Sequence, residues 1–210
     1  MQRAGAPDDL QIVDVFGLDP ELLAIVPQPV HSLILLFPCS DNYESFKAEE
    51  EEKLKDKDQG IPSSTFFMKQ ITPNACGTIA LLHGIVNNLD KIKLKDGILK
   101  DFVEKAESLN PLQRGELLYE MQTIIDLHKD VAAEGQTEAP PAEEKIIHHF
   151  VAFVCKEGSL LELDGRKFGP VNHGPTTPET FLEDAGKICK TFMARDPDEP
   201  RFAIVAICQE

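Results

Sequence analysis

The sequence is organised around residues 66–86, FFMKQITPNACGTIALLHGIV, in which a short aromatic segment leads through a turn into an apolar helix. The helix is predicted from Ala75 to about Val86, with Cys76 as its second residue. A thiol in the first turn of a helix faces unpaired backbone N–H groups and the positive end of the helix dipole, and both favour the thiolate. Cys76 is therefore a candidate nucleophile, although a free cysteine in an apolar helix is more often a small core residue.

Apolar patterns on both sides of this helix predict alternating strands and helices without an internal repeat. The nearly continuous apolar run at His31–Pro38, bounded by prolines, is typical of a strand buried on both faces. The predicted strands are Gln11–Phe16, His31–Pro38, Thr65–Met68, His148–Val154, Ser159–Leu163 and Arg201–Ile207. The other predicted helices are Glu21–Ile25, Ser40–Lys57, Asp96–Ser108, Leu112–Asp130 and Thr176–Met193, and Asn172–Gly174 is predicted to be irregular.

Length and composition predict one soluble domain. The chain has 210 residues, 42% apolar and 27% charged, which is enough for one sizeable core. Its net charge of −15 disfavours nucleic acid and anionic membrane as partners and suits a basic protein or peptide. No apolar run approaches the ~20 residues of a membrane span, and no secretory signal opens the chain. We therefore expect a cytoplasmic protein, with the nucleus as a second candidate compartment.

Cysteine and histidine spacing argues against a disulfide framework and against a metal site. The five cysteines are an odd set with no Cys-x-x-Cys pair, so we expect reduced thiols. The histidines show no ligand spacing, and the adjacent His148 and His149 would point to opposite faces of a strand. We expect His83 in the core, His173 in a hydrogen-bonded loop, and neither a metal nor a cofactor.

Three polar segments are expected at the surface. Residues 1–9 are rich in Gly, Pro and Asp and are expected to be mobile, ahead of a single domain at residues 10–210. Residues 131–146 have adjacent prolines, several glutamates and almost no apolar bulk before Ile146, which predicts a long loop that acts as a lid or crossover. Glu49–Glu52 is expected on a solvated helix face, with contact to a basic partner as the alternative.

A cysteine nucleophile needs a base, a group that orients the base, and donors for the developing oxyanion. The strands His148–Val154 and Ser159–Leu163 are predicted to form a hairpin. This hairpin supplies a base and an orienting group, because His148 or His149 begins its first strand and Asp164 follows its second. Gln70 lies on the turn before Cys76, where its side-chain amide and the Cys76 N–H could meet at one point. Each feature also has a structural explanation, since histidines at strand ends and aspartates before glycine are more often surface and turn residues.

Four motifs contain these residues, namely Phe67-Met-Lys-Gln70, Cys76-Gly-Thr-Ile79, His149-Phe-Val-Ala152 and Leu163-Asp-Gly-Arg-Lys167. The cysteine lies six positions after the glutamine, and the aspartate lies fifteen positions after the histidine. In residues and spacing the motifs closely resemble the ubiquitin carboxyl-terminal hydrolase (UCH) family of cysteine peptidases. The resemblance covers nearly the whole chain from about Gln11 and is most like the single-domain isozyme called L-three.

The resemblance implies a role for each candidate residue. Cys76 would be the nucleophile, and Gln70 would donate to the oxyanion. The resemblance favours His149 over His148 as the general base and acid, a choice that the residues alone left open. Asp164 would orient His149.

The resemblance also implies the fold and the partners. The family fold is α+β and papain-like, with a central antiparallel sheet flanked by helices and a knotted backbone. Residues 131–146 match the family's active-site crossover loop, which restricts the leaving groups that pass, and Asp14 is implied as a substrate-binding residue. The implied partners are ubiquitin and, for some members, NEDD8, and we expect a monomer without a cofactor.

One departure from the family pattern bears on the expected function. Family members normally begin with a Trp-x-Pro-Leu-Glu-x-Asn-Pro segment, whereas this chain has no tryptophan and no such segment before Gln11. Fewer ubiquitin contacts and an altered knot are therefore expected. The leading hypothesis is a thiol-dependent hydrolase of esters, thioesters and (iso)peptides at the C-terminal glycine of ubiquitin. The alternatives are a catalytically impaired ubiquitin-binding protein and a redox-sensing or structural thiol protein.

Overall fold

A six-stranded sheet forms the centre of a computed structural model of the chain, which describes residues 4–121 and 148–209. The strand order is β1-β6-β2-β3-β4-β5, and every neighbouring pair is antiparallel. The predicted α+β arrangement with a central antiparallel sheet is thereby confirmed. The strands are β1 (Leu10–Asp14), β2 (Val30–Pro38), β3 (His148–Lys156), β4 (Ser159–Leu163), β5 (Val171–Pro175) and β6 (Ala203–Gln209).

Helices cover both faces of this sheet. Two of them begin within one residue of the predicted starts at Ser40 and Leu112. Ser40 caps the second helix by accepting the Tyr43 N–H, and Asn110 caps the fifth in a capping box ahead of Pro111. The helices are α1 (Pro20–Leu23), α2 (Asp41–Leu54), α3 (Cys76–Val86), α4 (Ile98–Ala106), α5 (Pro111–Glu120) and α6 (Phe181–Met193).

Successive residues of the central strands face two different hydrophobic cores. Ile34 of β2 packs with side chains of α3, α4 and α5, whereas its neighbours Leu33 and Leu35 pack on the other face with α6. Because both faces are covered, β2 is buried along nearly its whole length, which confirms the interpretation of His31–Pro38. The sheet thus holds α3 and α6 in fixed positions on opposite sides.

The helix α3 lies unusually close to the sheet because glycine stands at position 84. A methyl group there would lie 2.7 Å from Ser32 Oγ and 2.9 Å from Ile207 Cδ1, both of which are in the sheet. Such distances leave no room for a side chain, so glycine permits the close approach. The approach fixes the position of α3, and with it Cys76, relative to β2 and β3.

The segment Thr65–Met68 was predicted to be a strand, and this prediction is wrong. A side chain of α3 and that of its C-cap residue, Asn87, take the place of a neighbouring strand. Asn87 accepts the Phe66 N–H at 2.8 Å and donates to the Phe66 carbonyl at 2.9 Å, while His83 Nε2 accepts the Met68 N–H at 3.1 Å. The backbone groups are therefore satisfied without a ladder. His83 is fully buried, as predicted.

The prediction that Asn172–Gly174 is irregular is also wrong. These residues belong to β5, an edge strand that pairs with β4 through Leu161 opposite Asn172 and Glu162 opposite Val171. A register shift between Ser159 and Leu161 interrupts the pairing, and polar side chains occupy much of the strand. Both features weaken the apolar alternation by which a strand is predicted from sequence.

Three predicted segments lie wholly or partly outside the described residues. The crossover loop at residues 131–146 falls there entirely, as does the predicted extension of α5 from position 122 to Asp130. Of the N-terminal segment expected to be mobile, residues 4–9 are described. Ala4 and Ala6 are buried, and the Lys95 N–H donates to the Gly5 carbonyl at 2.8 Å.

Candidate active site

Cys76 is the first residue of α3, one position earlier in the helix than predicted, with Ala75 at the N-cap. Its side chain is 9% exposed. Burial raises the pKa of the thiol, but the hydrogen bond and charge of His149, together with the N–H groups of Phe150 and Gly77, lower it more. The net result is a Cys76 pKa below its usual value, which favours the nucleophilic thiolate.

His149 stands near the start of β3 and is joined to the residue that follows β4. Its Nε2 lies 2.7 Å from Asp164 Oδ1, and the two side chains are 3% and 1% exposed. Burial lowers the pKa of His149, but hydrogen bonds to Asp164 and Cys76 and the charges of both groups raise it to about 9. With Nε2 on the carboxylate, Nδ1 is the ring nitrogen that faces the sulfur. The three side chains therefore form one hydrogen-bonded chain.

Asp164 accepts hydrogen bonds on both carboxylate oxygens. Oδ1 accepts from His149 and from the Arg166 N–H at 2.8 Å, and Oδ2 accepts from the Tyr43 hydroxyl at 2.7 Å. Burial raises the pKa of this carboxyl, but these donors and the charge of His149 hold it well below its usual range. The carboxylate therefore stays ionised in the interior and can stabilise an imidazolium.

Gln70 lies beside the residue that follows Asp164. Its backbone N–H donates to the Gly165 carbonyl at 2.9 Å, and its side-chain Nε2 donates to the Thr72 carbonyl at 3.2 Å. Its Oε1 is buried and has no hydrogen-bond partner among the described residues. Since an amide nitrogen carries two hydrogens, one N–H of Gln70 is left for a further acceptor.

A cavity of about 370 Å³ opens beside the sulfur. Most of its lining is apolar, and His148 contributes to it, so the two adjacent histidines have different surroundings: His149 contacts Asp164, and His148 faces the cavity. A substrate that reaches Cys76 through this space would lose water on entry. The lining residues are Ile12, Ile34, Asn74, Cys76, Gly77, Leu81, His148, Phe150 and Val205.

Sequence reasoning missed one residue of this site. Tyr43 contacts Asp164 across 121 positions of sequence, and it sits in a helix whose other residues are mostly charged. Nothing local marks its hydroxyl as different from that of any helical tyrosine. A tertiary contact of this kind has no sequence signal in a single chain.

Sequence relatives identify the family. The pattern of the family described as ubiquitin carboxyl-terminal hydrolase, family 1, matches residues 1–194. The chain belongs to the ubiquitin carboxyl-terminal hydrolase family. It is 47% identical over 207 residues to a Drosophila melanogaster ubiquitin carboxyl-terminal hydrolase, covering 99% of this chain and 90% of the relative. Human ubiquitin carboxyl-terminal hydrolase isozyme L1 is 40% identical over 210 residues, covering 100% of this chain and 92% of the relative.

UCH membership makes the chain a cysteine-type ubiquitinyl hydrolase, as predicted. A further expectation, a closest similarity to the isozyme called L-three, stays a prediction. The fold is shared with the Trichinella spiralis UCH37 catalytic domain bound to ubiquitin vinyl methyl ester, with a TM-score of 0.72 and 24% identity over 96% of this chain and 86% of that chain. At this identity the likeness concerns the fold, and it confirms the UCH fold.

Asp14, the residue implied in substrate binding, lies at the end of β1 on the surface. It lines a second cavity of about 370 Å³ together with apolar side chains. Several of these are strongly exposed, with Phe16 at 79% and Ile25 at 64%. Ile12 lines both cavities, so the surface around Asp14 is continuous with the cavity beside the sulfur.

The described parts of the chain also bear on metals and membranes. Within residues 4–121 and 148–209, histidine, cysteine and carboxylate side chains form no group of three or more that could hold a metal ion. No helix in the same ranges is long and apolar enough to cross a membrane.

Proposed function

We propose that this UCH family member is a deubiquitinase that cleaves esters, thioesters and (iso)peptide bonds at the C-terminal glycine of ubiquitin, with Cys76 as nucleophile. The observation that carries the proposal is the buried chain of hydrogen bonds from Cys76 through His149 to Asp164, beside an open cavity. A thiolate, a protonated imidazole and an ionised carboxylate in this order are what acyl transfer to sulfur requires.

The proposed reaction passes through a thioester. The Cys76 thiolate attacks the glycine carbonyl carbon, and the oxyanion accepts hydrogen bonds from the Cys76 N–H and from Gln70 Nε2. As the tetrahedral intermediate collapses, the His149 imidazolium gives its proton to the leaving amine or alkoxide. The neutral imidazole then takes a proton from water as the water oxygen attacks the thioester, and collapse of the second tetrahedral intermediate frees the carboxyl group and the Cys76 thiolate beside the His149 imidazolium. Asp164 remains ionised throughout.

The surface around Asp14 is the proposed docking site for ubiquitin. It combines a carboxylate with exposed apolar side chains, and it runs through Ile12 into the cavity beside Cys76. The net charge of −15 complements the basic C-terminal tail of ubiquitin and would speed association. NEDD8 is the second candidate substrate, and the same assay with a NEDD8 amide measures the preference.

The test is hydrolysis of a fluorogenic amide at the C-terminus of ubiquitin. We expect steady turnover by the native chain and by Cys155→Ala, a half-buried thiol on β3, and only background release by Cys76→Ala. A native chain no faster than Cys76→Ala would refute the proposal.

One observation favours a second candidate, a ubiquitin-binding protein with impaired catalysis. Gln70 Nε2 already donates to Thr72, so the side-chain donor needed by the oxyanion is partly engaged. This candidate predicts equal ubiquitin affinity for the native chain and Cys76→Ala, and no covalent adduct between the native chain and a ubiquitin with an electrophilic C-terminus. Formation of the adduct on Cys76, located by mass spectrometry, decides for the enzyme.

A further inference from the structure

Tyr43 supplies the hydrogen bond to the oxygen of Asp164 that faces away from His149. The Tyr43 hydroxyl lies 2.7 Å from Oδ2, whereas His149 and the Arg166 N–H both bind Oδ1. Tyr43 and Asp164 are 2% and 1% exposed, so bulk water does not reach this oxygen. Without the hydroxyl, a buried carboxylate oxygen would be left unsatisfied.

Tyr43 is itself held rigidly. Its backbone N–H donates to Ser40 Oγ at the start of α2. Its ring packs edge-on against Phe37 with centroids 4.7 Å apart, and Phe37 in turn packs edge-on against the His149 ring at 5.7 Å. Phe37 and His149 are also cross-strand partners in β2 and β3. Each member of the His149–Asp164 pair thus contacts one aromatic residue: Tyr43 binds Asp164, and Phe37 packs against His149.

The rest of α2 fastens the turn that follows Asp164. Glu44 pairs with Arg166 at 2.5 Å, Glu51 accepts the Phe168 N–H at 2.9 Å, and Glu50 pairs with Lys167. These contacts bind α2 to residues 166–168 along most of its length. The Tyr43 hydroxyl therefore meets Asp164 at a fixed distance and angle.

We propose that Tyr43 is a positioning residue for the reaction, because its hydroxyl fixes the rotation of the Asp164 carboxylate and thereby the His149 ring that faces Cys76. The inference rests on the proposed function and deepens it. A carboxylate that lost its donor on Oδ2 would turn that oxygen toward another donor and withdraw Oδ1 from His149. The imidazolium would then be less well supported, and less of Cys76 would be thiolate at neutral pH.

The test compares Tyr43→Phe with Tyr119→Phe. The chain has two tyrosines, and Tyr119 is 60% exposed on α5, so the pair of variants removes the same atom from two different places. In the absence of ubiquitin, the rate of Cys76 alkylation by iodoacetamide is followed against pH by mass spectrometry of the Cys76 peptide. We expect the midpoint of Tyr43→Phe to rise by about one pH unit and that of Tyr119→Phe to stay at the native value.

Turnover gives a second readout. We expect kcat on the ubiquitin amide to fall about tenfold in Tyr43→Phe, with KM unchanged, because a hydrogen bond to a charged group is lost and no residue of the docking surface is changed. An alkylation midpoint that is unchanged or lower overturns the proposal, even if kcat falls, because a packing role alone would not move it. A native chain without hydrolytic activity would refute the proposed function. The pH midpoint of Cys76 alkylation would still test the role of Tyr43, since alkylation needs no ubiquitin.

A third measurement covers the case in which Tyr43→Phe does not fold. Ring-fluorinated tyrosine incorporated into Tyr119→Phe labels Tyr43 alone, and fluorine NMR then reports on its hydroxyl in the folded protein. We expect the resonance to shift with pH at the midpoint of Cys76 alkylation. A resonance that stays constant while the thiolate forms would show that Tyr43 is not coupled to the His149–Cys76 pair, and would overturn the proposal.

Discussion

His149 keeps its proton although it is almost fully buried. Burial alone would favour the neutral ring, but Asp164 and Cys76 each bind one side of the imidazole and together raise its pKa to about 9. The same contacts lower the pKa of the Cys76 thiol. Both shifts favour the imidazolium–thiolate pair over the neutral thiol and imidazole, before any substrate arrives.

This pair predicts a bell-shaped pH dependence of kcat/KM. Activity should rise on the acid side as the Cys76 thiolate forms and fall near pH 9 as the pair loses the His149 proton. Asp164→Asn removes the charge that raises the pKa of His149, so the alkaline limb should move to lower pH and kcat should fall about 100-fold or more. Asp96→Asn, at an exposed carboxylate two residues before α4, is the control. An alkaline limb that stays in place in Asp164→Asn would contradict this account.

Gln70 offers a separate prediction about the oxyanion. If its free N–H stabilises the tetrahedral intermediate, Gln70→Ala should lower kcat by about 100- to 1000-fold and change KM little. Gln113→Ala, which removes an amide from the capping box of α5, should keep native kcat. Steady-state kinetics on the ubiquitin amide separates the two parameters. A Gln70→Ala enzyme with nearly native kcat would assign oxyanion binding to the Cys76 N–H alone.

For single residues, local sequence patterns predicted which ones lie near the ends of strands and helices. Cys76 at a helix start and Asp164 at a strand end were recognisable from their immediate neighbours, and family resemblance favoured His149 over His148. In the structure the side chain that contacts Asp164 is His149. Tyr43 could not be found this way, since only the fold brings its hydroxyl to a carboxylate 121 positions away.

Among the elements, α2 differs from its prediction in the surroundings of its glutamates. Its glutamate run, Glu49–Glu52, was expected on a solvated face, and this is wrong for two members. Glu50 pairs with buried Lys167 and Glu51 accepts a backbone N–H, whereas Glu49 pairs with Lys53 on the surface. Consecutive helical residues point in different directions, so one uniform run meets both protein and solvent. Composition cannot show which of the four glutamates contact protein and which face solvent.

Glu50 of α2 contacts a buried charge network formed by Lys167 and Glu162, and the contribution of this network to stability can be tested. Glu162 is 1% exposed and accepts from Lys167 at 2.5 Å and from His173 at 2.8 Å. Burial raises the pKa of Glu162, but these partners lower it to about 2. Glu162→Ala would leave the buried ammonium of Lys167 undercompensated, so we expect the free energy of unfolding to fall by about 3–5 kcal/mol.

Denaturant unfolding measures this loss of stability, and Glu49→Ala in α2 is the control. Glu49 forms an exposed pair with Lys53, and exposed pairs contribute little, so its variant should unfold close to the native midpoint. Equal midpoints for the two variants would mean that Glu50 alone suffices to compensate Lys167.

In the molecule as a whole, the sheet assembles a site from distant parts of the chain. The helix that carries Cys76 packs on β2 and β3, and the antiparallel β3–β4 pair brings His149 to Asp164. Helix and hairpin could each be predicted because their apolar periodicity is local. The strand order β1-β6-β2-β3-β4-β5 was not predicted, since pairing between distant strands leaves no local pattern in the sequence.

The net charge of −15 acts over the whole surface and gives the last prediction. If long-range attraction guides a basic ubiquitin tail to the surface around Asp14, kcat/KM should fall about 3- to 10-fold as salt rises from about 0.05 M to about 0.5 M. Asp14→Asn should reduce that slope, whereas alkylation of Cys76 by uncharged iodoacetamide should not depend on salt in either protein. If kcat/KM does not vary with salt, the exposed apolar side chains, Phe16 and Ile25 foremost, must recruit the substrate without electrostatic help.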